Sequence, residues 1–245
     1  MIPKKIHYCW FGKGEKSELM QSCIASWKRV MPDYEIIEWN ESNFTFDNTY
    51  AKQAYEARKY AFVSDYARLK IVYEHGGIYL DTDVELVRPL TPLLERGGYL
   101  GFENSKQINT GVGFAAPAGH EVVAAMLAAY DDIAFITDGK PDMTPCPRRN
   151  TASLVPLGLE VNGKLQTVQE ITVYPVDYFC PMDYDTGKIN LTENTYSIHR
   201  YGYSWADADS IKILERKRKV FKIFPRFCAQ WVFNILNVLF WRKRR

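Results

Sequence analysis

The chain has 245 residues, 47% of them hydrophobic and 24% charged, enough to bury one substantial core as a soluble globular domain. Five scattered cysteines without a Cys-x-x-Cys pair argue against a disulfide framework or a thiolate zinc site and for a reducing compartment. The net charge of +2 conceals an asymmetry: residues 212–245 carry eleven Lys/Arg and one acid, Glu215, so a basic tail follows an acidic body and calls for a polyanionic partner, either a membrane surface or nucleic acid.

The opening MIPKKIHYCWFGKG has basic residues but no apolar run of signal-peptide length, so export by that route is not expected and the cytoplasm is. KKIHYCW, residues 4–10, predicts a first strand, followed by a turn at Gly12 and Gly14. A helix is expected from Glu18 to Val30, capped by Ser17 and stopped before Pro32, and a second strand over YEIIEW, 34–39. Tyr50 to His75 carries helical signal in two pieces, closed by Gly76-Gly77. The strand GGIYLDTDVE comes next, then strands at 99–104 and 111–116 and a helix at 120–130. Residues 137–190 give no clear pattern. Strands alternating with helices predict an α/β fold with a mostly parallel central sheet.

Asp81 and Asp83 end the third strand one residue apart. Alternation along a strand would put both on one face, where two carboxylates make the oxygen-rich corner that Mg²⁺ or Mn²⁺ prefers. Asp-x-Asp recurs at Asp183/Asp185 and Asp207/Asp209, but those sit in segments that read as loop or helix start, so structural roles are expected there. Ligands of open α/β sheets bind outside the carboxyl ends of the strands, where Asp81 and Asp83 fall. Upstream, Asp65 and Arg68 lie three apart, neighbours on one helix face. They make either a surface ion pair or, beside a metal, a carboxylate for sugar hydroxyls and an arginine for phosphate.

The segment Tyr60–Asp83, with SDYARLKIVYEHGGIYLDTD, closely resembles the Asp-x-Asp signature of glycosyltransferase family 32, which includes bacterial capsule enzymes and fungal α-mannosyltransferases. It also resembles the glucosyltransferase domains of large clostridial toxins. The resemblance runs over roughly residues 2–205 and implies a GT-A type, Rossmann-like nucleotide-sugar-binding fold. By the same resemblance Trp10, otherwise a core aromatic, would stack on the nucleotide base. Asn109, in INTGVGFAAP, would meet the donor sugar. His199, in SIHRYGYSW, would complete the metal shell of Asp81 and Asp83, with Ser204 and Trp205 on the diphosphate. Tyr79, two before Asp81, would touch the ribose. His7, His75 and His120 are given structural roles.

The expected activity is a metal-dependent, retaining hexosyl transfer from a nucleotide sugar, UDP-linked glucose or galactose in the first place. The acceptor would be a glycan or lipid-linked oligosaccharide in surface polysaccharide synthesis. The metal, held by Asp81 and Asp83, and Arg68 would meet the charge on the departing diphosphate. Two rivals are a metal-dependent phosphohydrolase and a nucleic-acid-binding protein that uses the basic tail; the acidic body fits the second poorly, and no nucleic-acid partner is expected.

The chain is expected to divide into a catalytic domain, 1–210, and a tail, 211–245. Phe227–Trp241 is a run of 15 residues without a charge. As a helix it reaches only about 22 Å, short of the roughly 30 Å of a bilayer core. With a polar stripe of Arg226, Gln230, Asn234 and Asn237 and basic clusters at both ends, it is expected to lie in the interface of an anionic membrane, holding the protein at the inner face.

Overall fold

The computed structural model describes residues 1–202, 208–224 and 228–234, without the side chains of 208–211. The strands are β1 (Lys5–Cys9), β2 (Glu35–Trp39), β3 (Gly77–Tyr79), β4 (Val84–Leu86), β5 (Tyr99–Asn104), β6 (Gln107–Ile108), β7 (Phe114–Ala116), β8 (Ile136–Thr137), β9 (Lys140–Pro141), β10 (Gln166–Val168), β11 (Ile171–Tyr174) and β12 (Ser197–His199). The helices are α1 (Glu18–Val30), α2 (Thr49–Glu56), α3 (Tyr60–His75), α4 (Thr91–Leu94), α5 (Glu121–Ala128), α6 (Cys146–Leu154) and α7 (Ala208–Ile223).

The central sheet runs β10-β11-β5-β7-β3-β1-β2 with β6 hydrogen-bonded to β5. Five of the seven strands on that path point one way; β7, antiparallel between β3 and β5, and the edge strand β10 point the other. The fold is the expected α/β class with a mostly parallel sheet. Two compact units are present: residues 1–181 with 191–202, and 182–190 with 203–245.

Local chemistry explains the elements that carry the site. Ser17 caps α1 by accepting the Met20 N–H. α3 buries Phe62, Val63, Ala67, Leu69, Ile71 and Val72. Its C-cap, Gly76, has φ of +62°, and the strand begins at the next residue; a chain that leaves a helix for a strand within one residue needs that left-handed conformation. β3 pairs with β1, Ile78 opposite Ile6 and Tyr79 opposite His7. His7 accepts from Trp39 Nε1 at its Nδ1 (3.1 Å), while its Nε2 lies 2.9 Å from the Gly76 carbonyl. One nitrogen accepting and the other donating define a neutral imidazole. His120 caps α5 through Nδ1, so both buried-side histidines are structural.

Two expectations are corrected. β3 stops at Tyr79, and Asp81 and Asp83 lie in a turn closed by the Val84 N–H on the Asp81 carbonyl at 3.0 Å. Strand alternation therefore does not place them. The strand expected over 111–116 is a short 3₁₀ turn, Thr110–Val112, leading into β7.

In the second unit, Asp183 accepts from the Thr186 N–H and hydroxyl, and Asp185 pairs with Lys217 at 2.7 Å, the structural roles expected of that acid pair. Asp207 lies outside the described residues, as does the side chain of Asp209. Of the apolar tail, Ala229 and Phe233 pack against Val220 of α7; residues 227 and 235–241 lie outside the described residues.

Candidate active site

The two aspartates are held by different elements. Asp81 Oδ1 accepts the Tyr79 hydroxyl at 2.9 Å and Arg68 Nη2 at 3.1 Å. The same Nη2 reaches Asp65 Oδ1 at 3.0 Å. Arg68 Nε donates to the Ser64 carbonyl (3.1 Å), and Nη1 faces Cys146 Sγ (3.4 Å) and Thr110 Oγ1 (3.5 Å). Thr110 in turn receives Asn150 Nδ2 at 3.0 Å. Every nitrogen of this guanidinium is committed, and Arg68 is 4% exposed. It is not a free phosphate clamp but the buried pin that fixes two carboxylates. Burial pushes Asp81 up to about 6, the Asp83 charge adding and Arg68 opposing. Asp65 is raised by burial as well, against Arg68.

Gly111 makes this crowding possible. A Cβ there would fall 2.3 Å from Asp81 Oδ2, 3.0 Å from Asn109 Oδ1 and 3.1 Å from Arg68 Nη1. Asn109 accepts the Gly111 N–H at 2.7 Å through Oδ1, which turns its amide nitrogen away from that contact.

Asp83 belongs to the β4–β12 ribbon. Antiparallel pairing sets His199 opposite Val84, which brings its Nε2 to 3.4 Å from Asp83 Oδ1. Asp83 Oδ2 accepts the Gly202 N–H at 2.6 Å. The ribbon is clamped by an Arg200–Glu85 ion pair and by α1, whose Trp27 Nε1 donates to the Val84 carbonyl at 2.6 Å. Burial opposes the charged form of Asp83, but His199 and the Gly202 amide outweigh it and hold the carboxyl below its ordinary range. Burial likewise opposes a charged His199, and Asp83 outweighs it, so the imidazole is raised well above its usual value.

The structure thus brings Asp65, Arg68, Tyr79, Asp81 and Asn109 together, and sets Asp83 with His199. Tyr79 is 1% exposed with its hydroxyl spent on Asp81; the expected ribose contact gives way to a role in holding that carboxylate. Trp10 directly follows β1, half-buried, its indole nitrogen on the Gly14 carbonyl (2.6 Å) and the Lys16 ammonium 5.2 Å from its ring centre. Ser204 and Trp205 lie outside the described residues. Sequence reasoning missed Thr110, Gly111, Cys146, Asn150 and Gly202. The signal for two of them was the Pro145-Cys146-Pro147 start of α6, since proline is at home in a helix's first turn.

Among the described residues no three His, Cys, Asp or Glu side chains form a ready-made cation cage; His199 Nε2 faces Asp83 Oδ1 at 3.4 Å. A hard divalent ion needs only one or two protein carboxylates when phosphate oxygens complete its shell. Asp81 fits: its side chain is 27% exposed, and among the described residues nothing donates to its Oδ2, the atom facing Gly111. A shallow concavity lined by Arg96, Leu165, Gln166, Glu170 and Thr172 lies at the opposite, amino edge of the sheet and gathers no acid pair.

Ligands of open α/β sheets bind outside the carboxyl ends of the strands, and Asp81 and Asp83 follow β3 at that edge. Residues 17–99 match the family described as glycosyltransferase sugar-binding region containing DXD motif. The match bears out the resemblance seen in Tyr60–Asp83; it includes Asp65, Arg68, Tyr79, Asp81 and Asp83 and leaves out Trp10, Asn109 and His199. The chain is 29% identical over 143 residues to inositol phosphoceramide mannosyltransferase 3 of Schizosaccharomyces pombe, covering 55% of this chain and 38% of the relative. It is 30% identical over 112 residues to inositol phosphoceramide mannosyltransferase 1 of the same yeast, covering 40% and 33%. It spans about a third of the length of these curated relatives. Among solved structures, PaToxG glycosyltransferase superposes with a TM-score of 0.47 at 17% identity, over 63% of this chain and 69% of that one.

Proposed function

We propose that the protein is a metal-dependent glycosyltransferase that moves a hexose from a nucleotide sugar to a glycan or lipid-linked oligosaccharide, with retention at the anomeric carbon. The observation that carries this reading is the Asp81/Asp83 pair at the carboxyl edge of the sheet, inside the segment that matches the sugar-binding family. Asp81 and Asp83 would hold Mg²⁺ or Mn²⁺, which when bound supplies positive charge against a diphosphate. Arg68 and Tyr79 fix the Asp81 carboxylate, and His199 fixes that of Asp83. Asp65, turned by Arg68, is the acceptor for donor sugar hydroxyls, and the Asn109 amide nitrogen is a donor to the same sugar. Trp10 offers a ring for the base; Ser204 and Trp205 are assigned to the diphosphate. No carboxylate suits a covalent nucleophile, so the acceptor hydroxyl attacks from the front face and passes its proton to the departing phosphate oxygen. The names of the two yeast relatives add mannose to glucose and galactose as sugars to test, and surface polysaccharide synthesis at the inner membrane face is the setting proposed.

A screen of nucleotide sugars for Mn²⁺- or Mg²⁺-dependent release of free sugar tests this reading. Asp83→Ala is expected to lower that release by about a hundredfold or more while the protein stays folded. Near-normal turnover of Asp83→Ala at saturating Mn²⁺ would overturn the metal assignment, and release of inorganic phosphate without free sugar would favour a phosphohydrolase.

A further inference from the structure

The second unit leaves an apolar surface open beside lysines. On the helical segment 228–234, Ala229 and Phe233 turn inward against Val220, with Val232, Ile213 and Phe221 around them. That packing uses one side of each helix. Trp231 remains 68% exposed, and at the end of α7 Ile223 is 74% and Phe224 39% exposed. Gln230 and Asn234 bond to each other at 3.0 Å on the outer side. Lys219 and Lys222 are exposed on the same stretch of α7 as Ile223. No helix among the described residues is long and apolar enough to cross a membrane.

We propose that Ile223, Phe224 and Trp231 form a foot that seats in the headgroup region of an anionic bilayer, with Lys219 and Lys222 against the lipid phosphates. Tryptophan is the side chain best suited to that boundary, being apolar over most of its ring and polar at one nitrogen. Charge complementarity selects an anionic lipid surface over a neutral one: the 34 residues from Lys212 onward hold eleven Lys/Arg against Glu215 alone. The geometry differs from a single helix lying flat. Packing between α7 and 228–234 already consumes Ala229 and Phe233, so the bilayer receives the residues that packing leaves out. The foot is independent of the glycosyl-transfer reading, because none of its residues belongs to the acid cluster.

The test is sedimentation of the full chain with vesicles of phosphatidylcholine alone or mixed with phosphatidylglycerol, at low and high salt. The wild type is expected to sediment with the anionic vesicles at low salt and to stay in solution with neutral ones or at high salt. Each basic residue near such a surface strengthens binding by about fivefold, so Lys219→Glu with Lys222→Glu should weaken it at least about twenty-five-fold. Ile223→Ser with Trp231→Ser should weaken binding comparably and leave the protein folded, as exposed substitutions do. The blue shift of tryptophan emission expected on vesicle binding should disappear in Trp231→Phe. Wild type that stays in solution with anionic vesicles at low salt overturns the proposal. So does binding that neither pair of substitutions weakens. A free protein that sediments as a dimer, and as a monomer after Ile223→Ser with Trp231→Ser, would assign the foot to a second copy instead.

Discussion

The two halves of the acid cluster are built on opposite plans. Around Asp81 the charges are buried together: one guanidinium, two carboxylates, a tyrosine hydroxyl and a thiol share a space from which solvent is largely excluded. Around Asp83 a single histidine and one backbone amide suffice, and the carboxyl is held ionised. Burial raises the first acid to about 6, while pairing lowers the second. Two aspartates separated by one residue are thus shifted in opposite directions when different elements grip them.

The largest effect should come from removing the pin. Arg68→Met leaves Asp65 and Asp81 without their shared cation, and breaking a buried pair costs roughly 3–5 kcal/mol. Urea unfolding should show that loss, with activity abolished. Arg68→Lys should keep more of the stability and little of the activity, since an ammonium cannot hold five directions at once. A stable, active Arg68→Met would erase the contrast between the halves.

Next in size is a pH effect from the strand beside Tyr79. Burial lowers His7 from its ordinary 6.5 to about 4, with the Gly76 carbonyl opposing. The unfolded chain therefore takes up this proton first. Stability should be complete above about pH 6.5 and should fall by about 3 kcal/mol as the pH drops to 4. Denaturant midpoints across that range measure it, and His7→Gln should flatten the slope. That control sharpens the comparison, because acid titration of the scaffold must be removed before any is assigned to the aspartates.

The smallest expected effect is also the most local. In Gly111→Ala the added methyl would press on Asp81 Oδ2, and the carboxylate must shift. A misplacement of about 1 Å costs about a hundredfold in rate, so transfer should drop by that order, with an overpacking loss of about 1–3 kcal/mol in stability. Equal losses in Gly111→Ala and in a substitution on the Asp83 side would show that the two halves act as one rigid unit.

The sequence made some of this plain and hid the rest for physical reasons. β1, α1, β2, the split of α2 and α3, and α5 carry local signals: period, caps, and the glycines after His75. Asp65 and Arg68 were neighbours by helical spacing alone. The antiparallel insertion of β7 has no local signature, because strand direction is decided by what lies beside it. Cys146 meets Arg68, and Asn150 meets Thr110, from across a long Pro- and Gly-rich stretch, and a contact made only by tertiary packing leaves no periodicity to read. His199 was found by resemblance, but its partner, Asp83 Oδ1, follows from the β4–β12 register.

That ribbon also sets a timetable for the site. Arg68 and Asp81 are 13 residues apart, whereas Gly202 closes on Asp83 across 119. The longer closure costs about 2 kcal/mol more in chain entropy, and during synthesis it must wait for β12 to leave the ribosome. The pinned aspartate can be in place while its neighbour is still ungripped. Assembly of the pair is therefore gated by the return of β12, the step that switches the second aspartate from loose to held.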